Sequence, residues 1–273
     1  MATGVIPYSY GGFLLHDNIT FFVEKVPLEW TVVTPAMTKI ARLEGMKKNG
    51  ETIDDKPMVM MISVIPPSGL RTDLETALDT LDIALNKRAQ PLVLHSDGRY
   101  WVADCIMSKR VLDKPSYVAM ELDFEVYQPF ALAALPSTAT TSGTLSGSGP
   151  YILAATVVSG GTVFSRPTIT VTNTGSVTMT NLSLINLTDN VLLSFTPALS
   201  LVANDVLTVV CDPFAANNNG YTIYKNGVLT TLYDFSGTFP SLDVGTSSWQ
   251  VQCFGASAPT ASVNFAWTNR YLG

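Results

Sequence analysis

Apolar positions along this chain follow two periods, and each defines a different element. Leucines at 70, 74, 78, 81 and 85 recur at helical spacing and form one stripe. Thr72 with Glu75 has the pattern of a capping box, whereas Ser68 suits a helix that begins earlier. Asp73 and Glu75 come early and Lys87 and Arg88 late, as the helix dipole favours. Ile83 points away from the stripe. From Tyr117 to Tyr127 the period falls to two. Val118, Met120, Leu122, Phe124 and Val126 share one face, and Tyr117, Ala119, Glu121, Asp123, Glu125 and Tyr127 share the other. Unbroken alternation of this length predicts a strand with one buried and one wet side.

The rest of the first half reads as sheet. Phe13 to Val26 and Trp30 to Ile40 are strand regions rich in aromatic and β-branched residues. Residues 45–57 (GMKKNGETIDDKP) form a polar loop bounded by Gly and Pro, and Met58 to Ile65 is a fully apolar run of strand length closed by Pro66-Pro67. Leu92 to Val102 folds back through Ser96-Asp97-Gly98, a hairpin signal. The first half is therefore α+β, an antiparallel sheet or split barrel carrying one helix, over residues 1–132.

Residues 133–150 (AALPSTATTSGTLSGSGP) are small, uncharged and rich in Ser, Thr and Gly, and read as a linker. Beyond Pro150 no helical period occurs. Short alternations at 169–171, 182–184, 249–253 and 263–267 are separated by turn residues, and Asn226-Gly227 between two apolar runs is the strongest hairpin signal. Residues 151–273 read as an all-β sandwich.

Charge separates the same halves. Residues 133–273 hold only Arg166, Asp189, Asp205, Asp212, Lys225, Asp234, Asp243 and Arg270 as charged side chains, within a chain of net charge −6. Neither half is basic, so specific nucleic-acid binding lacks its electrostatic source. The longest apolar run is far shorter than the roughly 20 residues of a membrane span, and Met1 to Leu15 has no basic n-region of a signal peptide. Membrane insertion and secretion are not expected. The chain reads as made in the cytoplasm, and three cysteines without CxxC spacing read as buried thiols.

Catalytic chemistry is sparse. Only His16 and His95 are present, both in strand or hairpin context, which suits structural roles better than a triad. Gly and Ser at 142–149 lack the lysine and the strand-to-helix setting of a phosphate loop. No cluster has metal-ligand spacing, and the five Asp of the second half sit mostly beside turn residues. Neither an enzyme nor a cofactor is expected. Sugar binding through an exposed aromatic is the alternative, a lectin-like module for host surface glycans with Trp249, Trp267, Tyr221, Tyr224 and Tyr233 as candidates. Trp249 and Trp267, however, are in phase with apolar neighbours, as core residues are.

Six segments of the second half occur in a specific order: 160–171 with Gly161 and Pro167, 185–193 with Ile185-Asn186 and Thr188, 203–210, the Asn226-Gly227 hairpin, 235–251 with Phe239-Pro240-Ser241-Leu242 and Gly245, and 265–272 ending in Arg270-Tyr271. In that order they resemble the galectin-like C-terminal domain of siphophage distal tail (Dit) proteins. Thr246 to Ser248 depart from the Asn that usually follows the Gly. The strand MELDFEVYQPF (120–130) is similar to the end of that family's ring-forming domain, and the helix and hairpin precede it in the right order. The resemblance implies a virion protein at the tail tip, forming a hexameric ring. Its N-terminal domain would continue the tail tube, and its C-terminal domain would project outward. The implied partners are the tail tube protein, the tail hub, the tape measure protein and receptor-binding proteins.

Two residue sets stand out as candidate sites. Glu121, Asp123 and Glu125 fall on one strand face at intervals of about 6.7 Å. They are a solvated face, or cross-strand partners of Lys109 and Arg110, or the lining of a ring channel that repels phosphates. In the 45–57 loop, Lys47, Lys48, Asp54, Asp55 and Lys56 suit either a free surface loop or an arm that orders on a partner.

Overall fold

The computed structural model describes residues 8–25, 33–35, 51–53, 58–94, 97–126, 130–212, 221–230 and 235–272. The chain divides into two compact units, one reaching Ala134 and taking in the residues from Tyr271 onward, the other running from Leu135 to Arg270.

In chain order the first unit contains β1 (Ser9–Tyr10), β2 (Phe13–Leu14), β3 (Phe21–Lys25), β4 (Val33–Pro35), β5 (Glu51–Ile53), β6 (Met58–Val64), α1 (Arg71–Leu85), β7 (Gln90–Val93), β8 (Tyr100–Asp113), β9 (Val118–Val126) and β10 (Phe130–Leu132). The main sheet is antiparallel with order β2-β1-β7-β8-β9-β6-β3, and β10 attaches to β8. β9 takes the central place because its alternation provides one wholly apolar face: Val118, Met120, Leu122, Phe124 and Val126 are all buried. They share the core with Met60 and Ile62 of β6 and with Leu74, Leu78, Leu81 and Leu85 of α1. Each such side chain contributes roughly 1.5–3 kcal/mol by leaving water.

The helix departs from expectation at its start. Its N-cap is Leu70, with no side-chain cap, so Thr72 already lies inside the helix and cannot form a capping box with Glu75. Ser68 Oγ instead accepts the Leu70 N–H at 3.2 Å and donates to the Asp73 carboxylate, while Glu75 takes Arg71 at 3.0 Å. Leu70 is consequently exposed, and Lys87 and Arg88 fall beyond the last turn, which contains no base. Tyr10 ties the helix end to the sheet. Its hydroxyl donates to the Lys87 carbonyl at 2.6 Å and accepts the Cys105 N–H at 3.3 Å.

The second unit contains β11 (Ser137–Thr144), β12 (Tyr151–Ser159), β13 (Thr168–Asn173), β14 (Thr180–Asn186), β15 (Val191–Phe195), β16 (Val206–Val210), β17 (Thr222–Lys225), β18 (Val228–Leu229), β19 (Phe235–Gly237), β20 (Gly245–Phe254) and β21 (Thr260–Trp267). They form two antiparallel sheets, β11-β21-β13-β16-β17-β18 and β12-β20-β14-β15-β19. Inward residues of both sheets make one core, in which Trp249 of β20 meets Phe265 of β21 at 5.0 Å and 60°. Asn226 and Gly227, both at positive φ, close the β17–β18 hairpin as the turn chemistry requires. The fully buried Asn173 ties the turn that follows it to the segment at Leu201. It donates to the carbonyls of Val177 and Leu201, each at 2.8 Å, and accepts the Gly175 N–H at 3.1 Å.

Two expectations are corrected. Residues 137–144 are not a tether but the strand β11, in register with β21 from Ser137 opposite Trp267 to Thr144 opposite Thr260. The small hydroxyl residues that resemble linker chemistry are those a sheet edge accepts, and Thr140 donates across the pair to Asn264. The chain end is also not the last strand of the sandwich. β22 (Arg270–Leu272) pairs with β10, and Tyr271 packs against the first core with Arg99 over its ring at 4.7 Å.

Candidate functional site

The strand register of β9 determines what surrounds its wet face. Glu121 stands opposite Lys109 of β8 and Met61 of β6, Asp123 opposite Met107 and Val59, and Glu125 opposite Asp104. The apolar core thus lies behind this stripe, and on its front four acids run beside the part-exposed Val59 and Met107. The bland expectation of cross-strand pairs is not met. Lys109 and Glu121 make no ion pair despite facing each other, and Arg110 turns to Asp113 at 3.3 Å. Asp104 alone is compensated, accepting the Ala89 N–H at 2.6 Å and an Arg88 N–H at 2.8 Å.

Asp123 is the costly member of the set. Its Oδ1 is shut off from solvent and meets no hydrogen-bond donor. A buried polar atom without a partner costs roughly 1–3 kcal/mol, and Glu125 opposite Asp104 adds a like-charge contact. Sequence alternation found this face. It could not show that Lys109 leaves the carboxylates unpaired.

Among the described residues the same sheet is open at the short β2, along part of β8 and at β3. β8 is fourteen residues long, but β7 pairs only with its first four, Tyr100 to Ala103. Among the described residues no strand lies along that edge over 104–113, where Ile106, Met107, Val111 and Leu112 are 39–52 % exposed. At the far end, among the described residues, β3 pairs with β6 alone. Unpaired apolar edges invite another strand.

Other candidates resolve into structure. Lys47, Lys48, Asp54, Asp55 and Lys56 lie outside the described residues; within the same segment, Glu51–Ile53 is a strand paired with Val33–Pro35. His16 Nδ1 accepts the Val23 N–H at 3.0 Å and Nε2 contacts Asn18 Oδ1 at 2.7 Å, so the ring serves to hold a turn. His95 lies outside the described residues. Burial pushes the Cys105 and Cys253 thiols up to about 11 and raises that of Cys211, the opposite of an activated nucleophile. Trp249 and Trp267 are core residues, which removes both from any glycan platform. Tyr221 stacks on Phe239 at 4.8 Å, and Tyr233 lies outside the described residues.

The described residues form a helix-backed antiparallel sheet followed by an eleven-stranded sandwich. No protein-family model matches the chain, and no curated protein matches it in sequence. Among solved structures, it is similar to the crystal structure of the SPP1 Dit (gp 19.1) protein, described as a paradigm of the hub adsorption apparatus in phages infecting Gram-positive bacteria. The TM-score is 0.64 at 16 % identity, over 98 % of this chain and 100 % of that one. The likeness is one of fold.

Proposed function

We propose that this chain is a structural, non-catalytic virion protein. It forms a hexameric ring at the distal end of a non-contractile phage tail and joins the tail tube to the tail hub and receptor-binding apparatus. Similarity of fold along nearly the entire chain supports the class. The observation that carries the ring is that, among the described residues, one sheet is left open both along β8 and at β3. Unlike edges meet head-to-tail, and a heterologous contact repeated by rotation closes into a ring. Such closure would cover the apolar side chains of β8.

In that arrangement the face of Glu121, Asp123 and Glu125 lines the channel. Uncompensated carboxylates repeated around an axis make a negative lumen, which lets nucleic acid pass without adhering. The second unit, read as a galectin-like sandwich, stands as the outward attachment platform. Lys47, Lys48, Asp54, Asp55 and Lys56 form an arm that orders on a neighbouring tail protein. The chain is made in the host cytoplasm and works in the virion.

The test is native mass spectrometry of the wild type beside the I106K/V111K variant. Both side chains are about half exposed, at 51 % and 52 %, so the variant should keep its thermal midpoint while losing higher oligomers. Oligomers that persist unchanged in the variant refute edge-to-edge closure.

A further inference from the structure

Between Leu135 and Arg270 the chain carries three cations. Lys225 pairs with Asp205 at 3.0 Å and Arg270 with Asp212 at 2.9 Å. Arg166 differs, making no ion pair among the described residues, and its guanidinium is held by aromatic groups instead. The carbon Cζ stands 5.4 Å from the ring centroid of Phe164 and 5.4 Å from that of Tyr221, and one N–H donates to the Tyr221 hydroxyl. Tyr221 is itself backed by Phe239 at 4.8 Å and 24°, and Phe239 by Phe235 at 5.5 Å. The backbone sets this geometry. Ser165 is bridged to Leu242 on both sides, N–H and C=O, at 2.8 Å, which fixes an extended segment. Phe164 and Arg166 therefore project to one side while Ser165 is fully buried on the other.

We infer that Arg166, clamped between Phe164 and Tyr221, is the anchor of a protein-docking site that takes a single carboxylate of an acidic partner segment. A free surface arginine loses rotamer entropy when it is fixed by a ligand. Here the clamp has already fixed it. The two rings hold the guanidinium and Tyr221 takes one N–H, which leaves the remaining donors for a bidentate carboxylate. Phe164, 36 % exposed beside it, offers apolar area to the residue next to that carboxylate. An arginine seated among aromatics is the composition of interface hot spots.

Charge selects the partner class. A phosphate polymer needs several cations, and this stretch has three against five aspartates, with two of the three already paired. Its net charge of −2, from 3 − 5, repels a polyanion. One carboxylate flanked by an apolar side chain meets neither obstacle. The inference rests on the second unit alone and holds whether or not the chain closes a ring.

The experiment is an NMR titration of the full chain, following the Arg166 Nε–H resonance. The probes are the peptide Ac-Leu-Glu-Leu-NH2, its Gln counterpart, and polyphosphate. The Glu peptide should shift that resonance saturably, together with the amides of Phe164 and Tyr221. The Gln peptide and the R166K variant should each bind at least about tenfold more weakly, the loss expected for a charge-assisted bidentate contact. Spectral dispersion of R166K reports its fold, and the Gln peptide provides the same comparison without any variant. Equal shifts with Glu and Gln peptides, no saturable shift, or tighter binding of polyphosphate at these resonances would each overturn the assignment.

Discussion

Replacing Asn173 by Asp changes one amide nitrogen into oxygen at a fully buried site. In the native unit that nitrogen donates to Val177 O and Leu201 O, both at 2.8 Å. The variant places an oxygen against two carbonyl oxygens at that distance. Leu201 O keeps the Met179 N–H at 2.9 Å, whereas Val177 O has no other backbone donor among the described residues. Two lost hydrogen bonds at about 1 kcal/mol each, plus an ionised carboxylate buried against carbonyl oxygens, give a deficit of about 3–5 kcal/mol at neutral pH. The deficit depends on pH with a definite sign. Burial among carbonyls penalises the ionised form, so the folded-state pKa of the new carboxyl rises above its unfolded value near 3.9. Below that unfolded value the neutral acid can donate one O–H and recover part of the loss, and the full cost appears as pH rises through the folded value. Urea unfolding of wild type and variant at pH 4 and pH 7.5 reads this directly. A deficit below about 1 kcal/mol at pH 7.5, or one that grows on acidification, refutes the reasoning.

Three further outcomes are expected. Burial raises the Asp17 pKa, but the N–H groups of Phe21, Ile19 and Thr20, at 2.7–2.8 Å from Oδ1, outweigh it and hold the carboxyl below the usual range. Asp17 therefore stabilises above the ordinary carboxylate pKa and loses that contribution as pH falls through its depressed value. D17A should cost about 1–2 kcal/mol at neutral pH, as lost caps do, and the same deficit at pH 2 would contradict this. Limited proteolysis should spare residues 137–144, which are paired along their length in β11; rapid cleavage there would restore the tether reading. In the assembled ring, E121K/E125K should bind duplex DNA with an affinity that falls steeply with salt, whereas the wild type should not. Wild-type rings that retain DNA would remove the acidic stripe from the channel.

What the sequence revealed follows the range of the interactions involved. The period of β9, the leucines at 74, 78, 81 and 85 of α1 and the Asn226-Gly227 turn are local signals that stand in the fold as read, whereas Leu70 falls at the exposed N-cap. β11 was illegible because Ser, Thr and Gly suit a linker and a sheet edge equally. Only its distant partner β21 distinguishes them. The return of Tyr271 to the first core is likewise a non-local event with no local mark. The acidic stripe was legible as a face. Its lack of partners was not, since that depends on where Lys109 and Arg110 turn. The Arg166 clamp was missed for the same reason: Phe164 and Arg166 share strand spacing, but Tyr221 and Phe239 reach them from far along the chain. The open edge of β8 emerged only when its neighbour β7 proved to be four residues long.

Self-association around a common axis is the claim on which the proposed role depends. Negative-stain electron microscopy of the purified chain, from micromolar concentration upward, observes it directly. The expected result is ring-shaped particles with a central channel and lobes projecting outward. A field of single or paired particles at every concentration, confirmed by light scattering, would contradict it.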